Sequence, residues 1–204
     1  MKKINNLINI FYKVIPGGVF GLTSVLLAFV FVALSYINFP GYNMMENDVS
    51  VLGIGPGLSA PLFNTGLKIA GFTAIPFFIY LGIILKKENH DFKTIKRATL
   101  LSILGCVSLS LIGFFPVINL TMGIIHAGLA LVFFISSIIN LILFSRLMFH
   151  DERFAKVHPY LGFMTACLIA IYIATRISII EWVVFFVLGF WMIDISIYTL
   201  FKKL

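Results

Sequence analysis

A polar segment separates two long apolar runs near the start of this chain: residues 40–71, PGYNMMENDVSVLGIGPGLSAPLFNTGLKIAG. It carries the carboxylates Glu46 and Asp48, then Ser50 and a glycine-rich turn at residues 53–57. Beyond that turn the sequence becomes apolar again. We expect the first part of the segment to be a loop that covers a polar site in the non-cytoplasmic half of a helical membrane bundle.

The overall composition excludes a soluble globular domain. Of the 204 residues, 60% are hydrophobic and 11% are charged, and the mean hydropathy is +1.06, whereas soluble domains carry roughly 45–50% apolar and 25% charged residues. A membrane-spanning helix needs roughly 20 apolar residues, so this length accommodates six spans with short connections. We therefore predict a single transmembrane domain, residues 1–204, without a second unit.

The apolar runs predict an all-α, polytopic membrane protein, a bundle of six transmembrane helices. Proline, glycine and asparagine residues mark the ends of several runs. The predicted spans are residues 16–39, 61–85, 98–118, 122–145, 159–178 and 182–201. Because the connection between the fifth and sixth spans is only a few residues long, these two helices must be antiparallel neighbours.

The basic residues set the expected orientation of the bundle. The net charge is +7, but all lysines and arginines except Lys68 and Arg176 fall in the segments that share one side of a six-span bundle. Positively charged segments favour the cytoplasmic side. We therefore expect cytoplasmic termini and a multi-pass location in the cell membrane. The expected partners of the basic residues are membrane lipids rather than nucleic acid.

Several polar side chains fall within the outer leaflet of this predicted bundle. A charged group at mid-helix costs about 2.5–3.5 kcal/mol on insertion scales, so such groups are usually paired or functional. The residues that share this depth are Asp48, Ser50, Asn64, Lys68, His126, Arg176 and Glu181. The topology places them in one leaflet, but it does not show whether they converge laterally.

Each of these residues also has a purely structural interpretation. Arg176 and Glu181 can form an ion pair at the interface. Lys68 can extend its side chain to the headgroups or neutralise Asp48 or Glu181. His126 can be a hydrogen-bonded packing residue.

Further structural interpretations apply to other polar positions. Asp48 and Ser50 are residue types that favour the N-cap of a short helix. Asp194 lies alone toward the cytoplasmic end of the sixth span, and we assign it no chemistry. Cys106 and Cys167 fall within spans and are expected to pack as small apolar residues rather than to form a disulfide.

The functional interpretation groups Asp48, His126 and Glu181 as candidate catalytic residues. A histidine with two carboxylates can hold a divalent metal that activates water, or a carboxylate can orient the histidine as a general base. The three residues lack the fixed local spacing of HExxH or GxSxG motifs, so the sequence assigns no metal ligand and no cofactor. The remaining polar residues of this leaflet are candidate ligand-binding residues: Ser50, Asn64, Lys68 and Arg176.

Three stretches of the chain carry a family resemblance: FPGYNMMENDVSVLGIGPGLSAPLFNTGLKIAGF, IGFFPVINLTMGIIH and ISIIEWVVFFVLGFW. They resemble the DUF998 family of archaeal and bacterial membrane proteins. That family has a loop with Asp or Asn, Ser and Leu-Gly, then Phe-Asn-x-Gly on span two, a Gly-x-Phe-Pro turn, a histidine on span four and a glutamate before the last helix. The matching positions are Asp48, Ser50, Leu52, Gly53, Phe63, Asn64, Gly66, Gly113, Phe115, Pro116, His126 and Glu181.

The resemblance covers nearly the whole chain and implies a six-helix integral membrane protein of undefined activity from a prokaryote. The arrangement is also distantly similar to the Frag1/DRAM/Sfk1 group of eukaryotic membrane proteins, at the level of the fold. Lys68 has no counterpart in the family pattern, so the resemblance implies no role for it.

Three functional hypotheses of different classes follow. The first is a non-enzymatic membrane protein that binds a lipid or small amphiphile in an outer-leaflet polar pocket, or that stabilises a membrane complex. The second is a membrane-embedded hydrolase or transferase for lipid headgroups, which requires His126 within bonding reach of Asp48 or Glu181. The third is a transporter or channel, which requires polar groups across the whole bilayer, whereas only Asp194 lies toward the inner side.

Overall fold

Six long helices dominate the part of the chain that the computed structural model describes, residues 10–88 and 91–202. Each is long and apolar enough to cross a membrane, and no strand occurs in these residues. The helices are α1 (Gly17–Ile37), α2 (Ser59–Glu88), α3 (Phe92–Ile112), α4 (Leu120–Phe149), α5 (Val157–Thr175) and α6 (Ser178–Phe201). The protein is therefore an all-α, multi-pass membrane protein, as the sequence predicts.

The third helix lies about six residues earlier in the chain than the predicted span 98–118. It begins at Phe92 because the Asp91 side chain accepts a hydrogen bond from the Thr94 backbone N–H at 3.1 Å, which is an N-cap. It ends before Pro116, since proline has no N–H to donate and keeps the preceding residue out of the helical region.

Two helices are longer than their predicted spans at both ends. α2 and α4 contain 30 residues each, which corresponds to roughly 45 Å at 1.5 Å per residue. The hydrocarbon layer is only about 30 Å thick. Hydropathy located the part of each helix that crosses the hydrocarbon layer but not the helical turns that continue beyond it.

The helices form a closed ring in chain order. Each helix packs against the helices before and after it in the sequence, and α6 packs against α1 to close the ring. Small residues allow the close contacts. Gly71 of α2 is an example, because a Cβ atom built there would lie 2.6 Å from the Cys106 backbone oxygen of α3.

The interior of the ring is filled in one half only. Away from the loop between α1 and α2, large side chains with at most 1% exposure close the interior: Phe77, Leu81, Phe144, Trp191 and Ile195. A second, smaller cluster lies beneath that loop and includes Leu52, Phe63 and Trp182. Between these two clusters the helices enclose a cavity.

The connection between α1 and α2 covers one end of the ring. It contains a 3₁₀ helix, Val49–Ile54, whose Val49, Leu52 and Gly53 are buried. We call this end the loop side and the opposite end the basic side. The predicted cytoplasmic location of the basic side stays a prediction, and its Lys2, Lys3 and Lys203 lie outside the described residues.

Candidate functional site

The first turn of α6 holds the loop over the cavity. The Glu181 Oε2 atom accepts a hydrogen bond from the Val49 N–H at 2.8 Å, and the Trp182 Nε1–H donates to the Asn47 carbonyl at 3.2 Å. The Ser178 hydroxyl donates to the backbone oxygen of Glu46 at 3.3 Å. Positions 178, 181 and 182 share one helical face, so a single turn binds three successive parts of the loop.

Tyr42 supports the loop from within. Its hydroxyl donates to the carbonyl oxygens of Asp48 at 2.7 Å and Asn47 at 3.1 Å, and its ring lies edge-on to that of Trp182. Burial raises the pKa of the Tyr42 hydroxyl, and the nearby charges of Glu181 and Asp48 raise it further. Tyr42 therefore stays protonated and remains a hydrogen-bond donor to the loop.

Two of the predicted ligand-binding residues lie outside the cavity and make contacts within the protein. Asn64 donates from Nδ2 to the Gly53 carbonyl at 2.9 Å and so supports the end of the 3₁₀ helix. The Lys68 Nζ atom lies 4.3 Å from the centre of the Phe114 ring, in a cation–π contact. Neither residue lines the cavity. Within the described residues Lys68 forms no ion pair with Asp48 or Glu181.

The cavity has a volume of about 400 Å³ and receives side chains from all six helices and from the loop. Most of its wall is apolar. Its polar residues are Ser24, Asp48, Ser50, His126, Tyr172, Arg176 and Glu181. Ser24 already donates to the Ala70 carbonyl at 2.8 Å, so the chemically available groups lie toward the loop side.

Asp48 occupies the N-cap position of the 3₁₀ helix, but its side chain makes no capping hydrogen bond. Glu181 accepts the first N–H of that helix in its place. The Tyr172 hydroxyl lies 3.5 Å from Asp48 Oδ2 and also interacts with the Glu181 carboxylate. The Asp48 Oδ1 atom is buried and has no hydrogen-bond partner in the described part of the chain. The carboxylate is thus available to a bound molecule.

Arg176 lies where the cavity meets the surface. It is exposed and ends α5 with a left-handed backbone, φ 55°. Its guanidinium lies 5.3 Å from the centre of the Tyr172 ring. The predicted ion pair with Glu181 does not form among residues 10–88 and 91–202, where the ion pairs are Arg153–Asp151 and His158–Asp194. The cation of Arg176 therefore lies at the cavity mouth without an ion-pair partner in the described part of the chain.

His126 is buried, with 7% exposure, and its ring is oriented by the turn between α3 and α4. Its Nδ1 atom lies 2.9 Å from the Phe115 carbonyl oxygen. Because a carbonyl oxygen can only accept, Nδ1 carries the proton, and Nε2 is the acceptor atom of this tautomer. No hydrogen bond or ion pair joins His126 to Asp48 or Glu181 within the described residues.

The structure therefore brings five of the seven candidate residues to one cavity: Asp48, Ser50, His126, Arg176 and Glu181. In the described residues no three His, Cys, Asp or Glu side chains are grouped closely enough to hold a metal ion. The cavity instead offers an acceptor-rich polar end with one cation at its mouth.

Tyr172 is a site residue that the sequence did not single out. It is 2% exposed and contacts Asp48, Glu181 and Arg176. One feature of the sequence could have indicated it: Tyr172 and Arg176 are four residues apart and therefore share a helix face. A tyrosine in an apolar span is otherwise unexceptional.

The basic side carries a partly buried ion pair between a histidine and an aspartate. The His158 Nδ1 atom lies 2.6 Å from Asp194 Oδ2. The sequence places Asp194 alone, whereas the structure gives it this partner. Nearby, Arg153 binds Asp151 through two hydrogen bonds and also donates to the Ile84 carbonyl of α2. These contacts tie the α4–α5 connection to the ring.

Comparison with known proteins identifies the chain at the level of family. No curated protein and no solved structure matches it. One family, described as a protein of unknown function (DUF998), matches residues 22–198. That range begins in α1, ends in α6 and includes the loop and every polar residue of the cavity. This six-helix membrane protein belongs to the DUF998 family.

Proposed function

We propose that this protein binds a lipid or small amphiphile in the cavity between its helices. The polar group of the ligand lies at the loop side, among Asp48, His126, Arg176 and Glu181. Its apolar chain extends toward the closed half of the ring. By the orientation expected from the basic residues, the polar group is in the outer leaflet.

The distribution of polarity along the cavity carries this proposal. On α6 the wall runs from Glu181 at the loop side to Met192 near the closed half, a depth of roughly 16 Å at 1.5 Å per residue. The deep part is lined by apolar side chains such as Phe134, Leu188 and Met192. A cavity with a polar end and a long apolar body is complementary to a molecule with a headgroup and a chain.

The position of the opening supports a ligand that comes from the membrane. Apart from Arg176, the exposed residues that line the cavity lie along the first part of α4 and the turn before it: Val117, Ala127 and Leu131. Leu131 is more than three turns into a membrane-spanning helix. An opening at that depth faces lipid rather than water.

The volume limits the size of the ligand. Pockets for small molecules measure about 300–1,000 Å³, and this cavity, at about 400 Å³, is near the lower end of that range. It suits a single-chain amphiphile, or a headgroup with one of its two chains, better than a complete two-chain lipid.

Blocking the opening tests the proposal. The Ala127→Trp variant places a large side chain at an exposed lining position, whereas Ile124→Trp places the same side chain on α4 at an exposed position outside the cavity. Each variant is purified in detergent and its bound lipid is measured by native mass spectrometry. We expect Ala127→Trp to lose bound lipid and Ile124→Trp to keep it. Equal lipid occupancy in both variants would contradict the proposal.

A lipid-headgroup hydrolase or transferase is the second candidate, and one observation favours it. The Phe115 carbonyl fixes the His126 tautomer that leaves Nε2 basic, as a general base requires. Against it, no carboxylate is bonded to the ring in the described residues. Incubation of the purified protein with a lysolipid, followed by mass spectrometry, tests this activity. Release of the headgroup by the wild type and not by His126→Ala would establish it.

A further inference from the structure

We propose that the polar end of the cavity selects a headgroup that carries a primary ammonium group close to a phosphate. The ammonium group binds the Asp48 carboxylate, and the phosphate binds Arg176 at the mouth. This inference rests on the proposed binding function and adds the chemical class of the ligand.

The first argument is the state of Asp48. A residue at the N-cap normally uses its side chain to accept a backbone N–H, but here Glu181 accepts it instead. The Asp48 Oδ1 atom is left buried with no partner among the described residues. A buried acceptor without a donor is costly, and more so when it is charged. A ligand that donates a hydrogen bond to Oδ1 removes that cost.

The second argument is the charge around Asp48. The Glu181 carboxylate is close enough to interact electrostatically with Asp48, and the His126 tautomer with its proton on Nδ1 offers Nε2 as a further acceptor. No lysine or arginine in the described residues forms an ion pair with either carboxylate. A primary ammonium group supplies both the positive charge and up to three N–H donors.

The third argument is the separation of charges along the cavity. Arg176 is exposed at the mouth and its guanidinium stacks on the Tyr172 ring rather than on a carboxylate. A planar guanidinium is well suited to a phosphate. The site therefore has negative groups and, nearer the surface, a positive group, which complements a headgroup in which an ammonium group lies next to a phosphate.

Two other occupants fit the site less well. A polyol headgroup can donate to Asp48 but adds no positive charge beside the two carboxylates. An inorganic cation would lack ligands, because the described residues contain no group of three His, Cys, Asp or Glu side chains for a metal, and it would leave the apolar body of the cavity unused.

Competition among three lysolipids with the same acyl chain tests the inference. Lysophosphatidylethanolamine carries a primary ammonium group, lysophosphatidylcholine carries a quaternary ammonium group without N–H donors, and lysophosphatidylglycerol carries a diol. The full chain in detergent is mixed with all three lysolipids and examined by native mass spectrometry. We expect the ethanolamine lipid to bind at least about tenfold more tightly than either competitor, as the loss of a charge-assisted hydrogen bond implies.

The outcomes separate this inference from the proposed function. Equal binding of the choline or glycerol lipid would overturn the headgroup inference, while the binding function would stand. Failure of all three lysolipids to bind would overturn both.

Single substitutions test which residues cause the preference for the ethanolamine lipid. Asp48→Asn keeps the size of the side chain but removes its charge, so we expect it to abolish the preference for the ethanolamine lipid. Glu46→Gln is the matched control, because Glu46 is exposed in the same loop and does not line the cavity. Retained binding of the glycerol lipid shows that Asp48→Asn keeps an intact cavity. Arg176→Gln is expected to weaken all three lysolipids alike, since all carry the phosphate. A preference that survives Asp48→Asn would refute the assignment.

Discussion

At the scale of single residues, Arg176 combines backbone strain with a charge that forms no ion pair within residues 10–88 and 91–202. A non-glycine residue in the left-handed region costs roughly 1–2 kcal/mol, and Arg176 is the described residue other than glycine with a positive φ. Helices often end with glycine in this conformation. Strain of this kind persists where the surroundings or the function require the side chain. The side chain here supplies the cation at the cavity mouth.

Replacing Arg176 separates the strain from the charge. Arg176→Gly and Arg176→Ala both remove the guanidinium, but only glycine adopts φ 55° without a Cβ penalty. We expect the glycine variant to be more stable than the alanine variant by about 1 kcal/mol, measured by thermal unfolding in detergent. Both variants should lose lysolipid affinity to the same extent. An alanine variant as stable as the glycine variant would show that the backbone at this position is unstrained.

At the scale of elements, the first turn of α6 and the loop form one unit. Glu181 both lines the cavity and accepts the Val49 N–H, while Trp182 binds the Asn47 carbonyl. The loop therefore owes its position to a helix that is more than 120 residues later in the chain. Its stability therefore depends on side chains of α6 as well as on its own Tyr42.

Substitution of Glu181 tests how the loop is held. Glu181→Ala leaves the Val49 N–H without its acceptor, which costs about 1–3 kcal/mol when the group is buried, whereas Glu181→Gln keeps an oxygen in place. We expect amide hydrogen exchange at Val49 to become about tenfold faster, or more, in the alanine variant and to change little in the glutamine variant. Glu46→Ala serves as the control. Unchanged exchange in Glu181→Ala would mean that Tyr42 and Trp182 hold the loop without Glu181.

The sequence predicts the elements better than it predicts the site. Hydropathy located all six helices because each must bury an apolar length of membrane. It placed α3 too late, because the basic first turns after Asp91 resemble a loop. It also counted Asn64 and Lys68 with the site, since depth follows from topology but the direction of a side chain depends on how its helix is rotated. Only the packed structure reveals that rotation.

At the scale of the whole molecule, the ring of helices is filled toward the basic side and hollow beneath the loop. One half of its interior is filled by aromatic and aliphatic side chains, and the other half holds the cavity beneath the loop. The filled half argues against a continuous polar path through the bundle. Because the helices alternate in direction, the loop side and the basic side lie on opposite faces of the membrane.

Labelling of introduced cysteines tests this arrangement and its expected orientation. Met45 is exposed in the loop, and Glu152 is exposed in the α4–α5 connection. In a Cys167→Ser background, we expect the Met45→Cys variant to react with a membrane-impermeant maleimide in intact cells. The Glu152→Cys variant should react only after permeabilisation. Reaction of both variants in intact cells would contradict the six-span topology, and the opposite pattern would reverse the predicted orientation.

The closure of the ring by α6 has a consequence for biogenesis. The contacts between neighbouring helices are local in sequence, so they can form while the chain is being synthesised. The groups that fix the loop, Ser178, Glu181 and Trp182, follow all five other helices. A nascent chain that has inserted five helices therefore has an open groove and a loop that lacks its hydrogen bonds to α6. The binding site comes into existence in one late step, when α6 takes its place between α5 and α1.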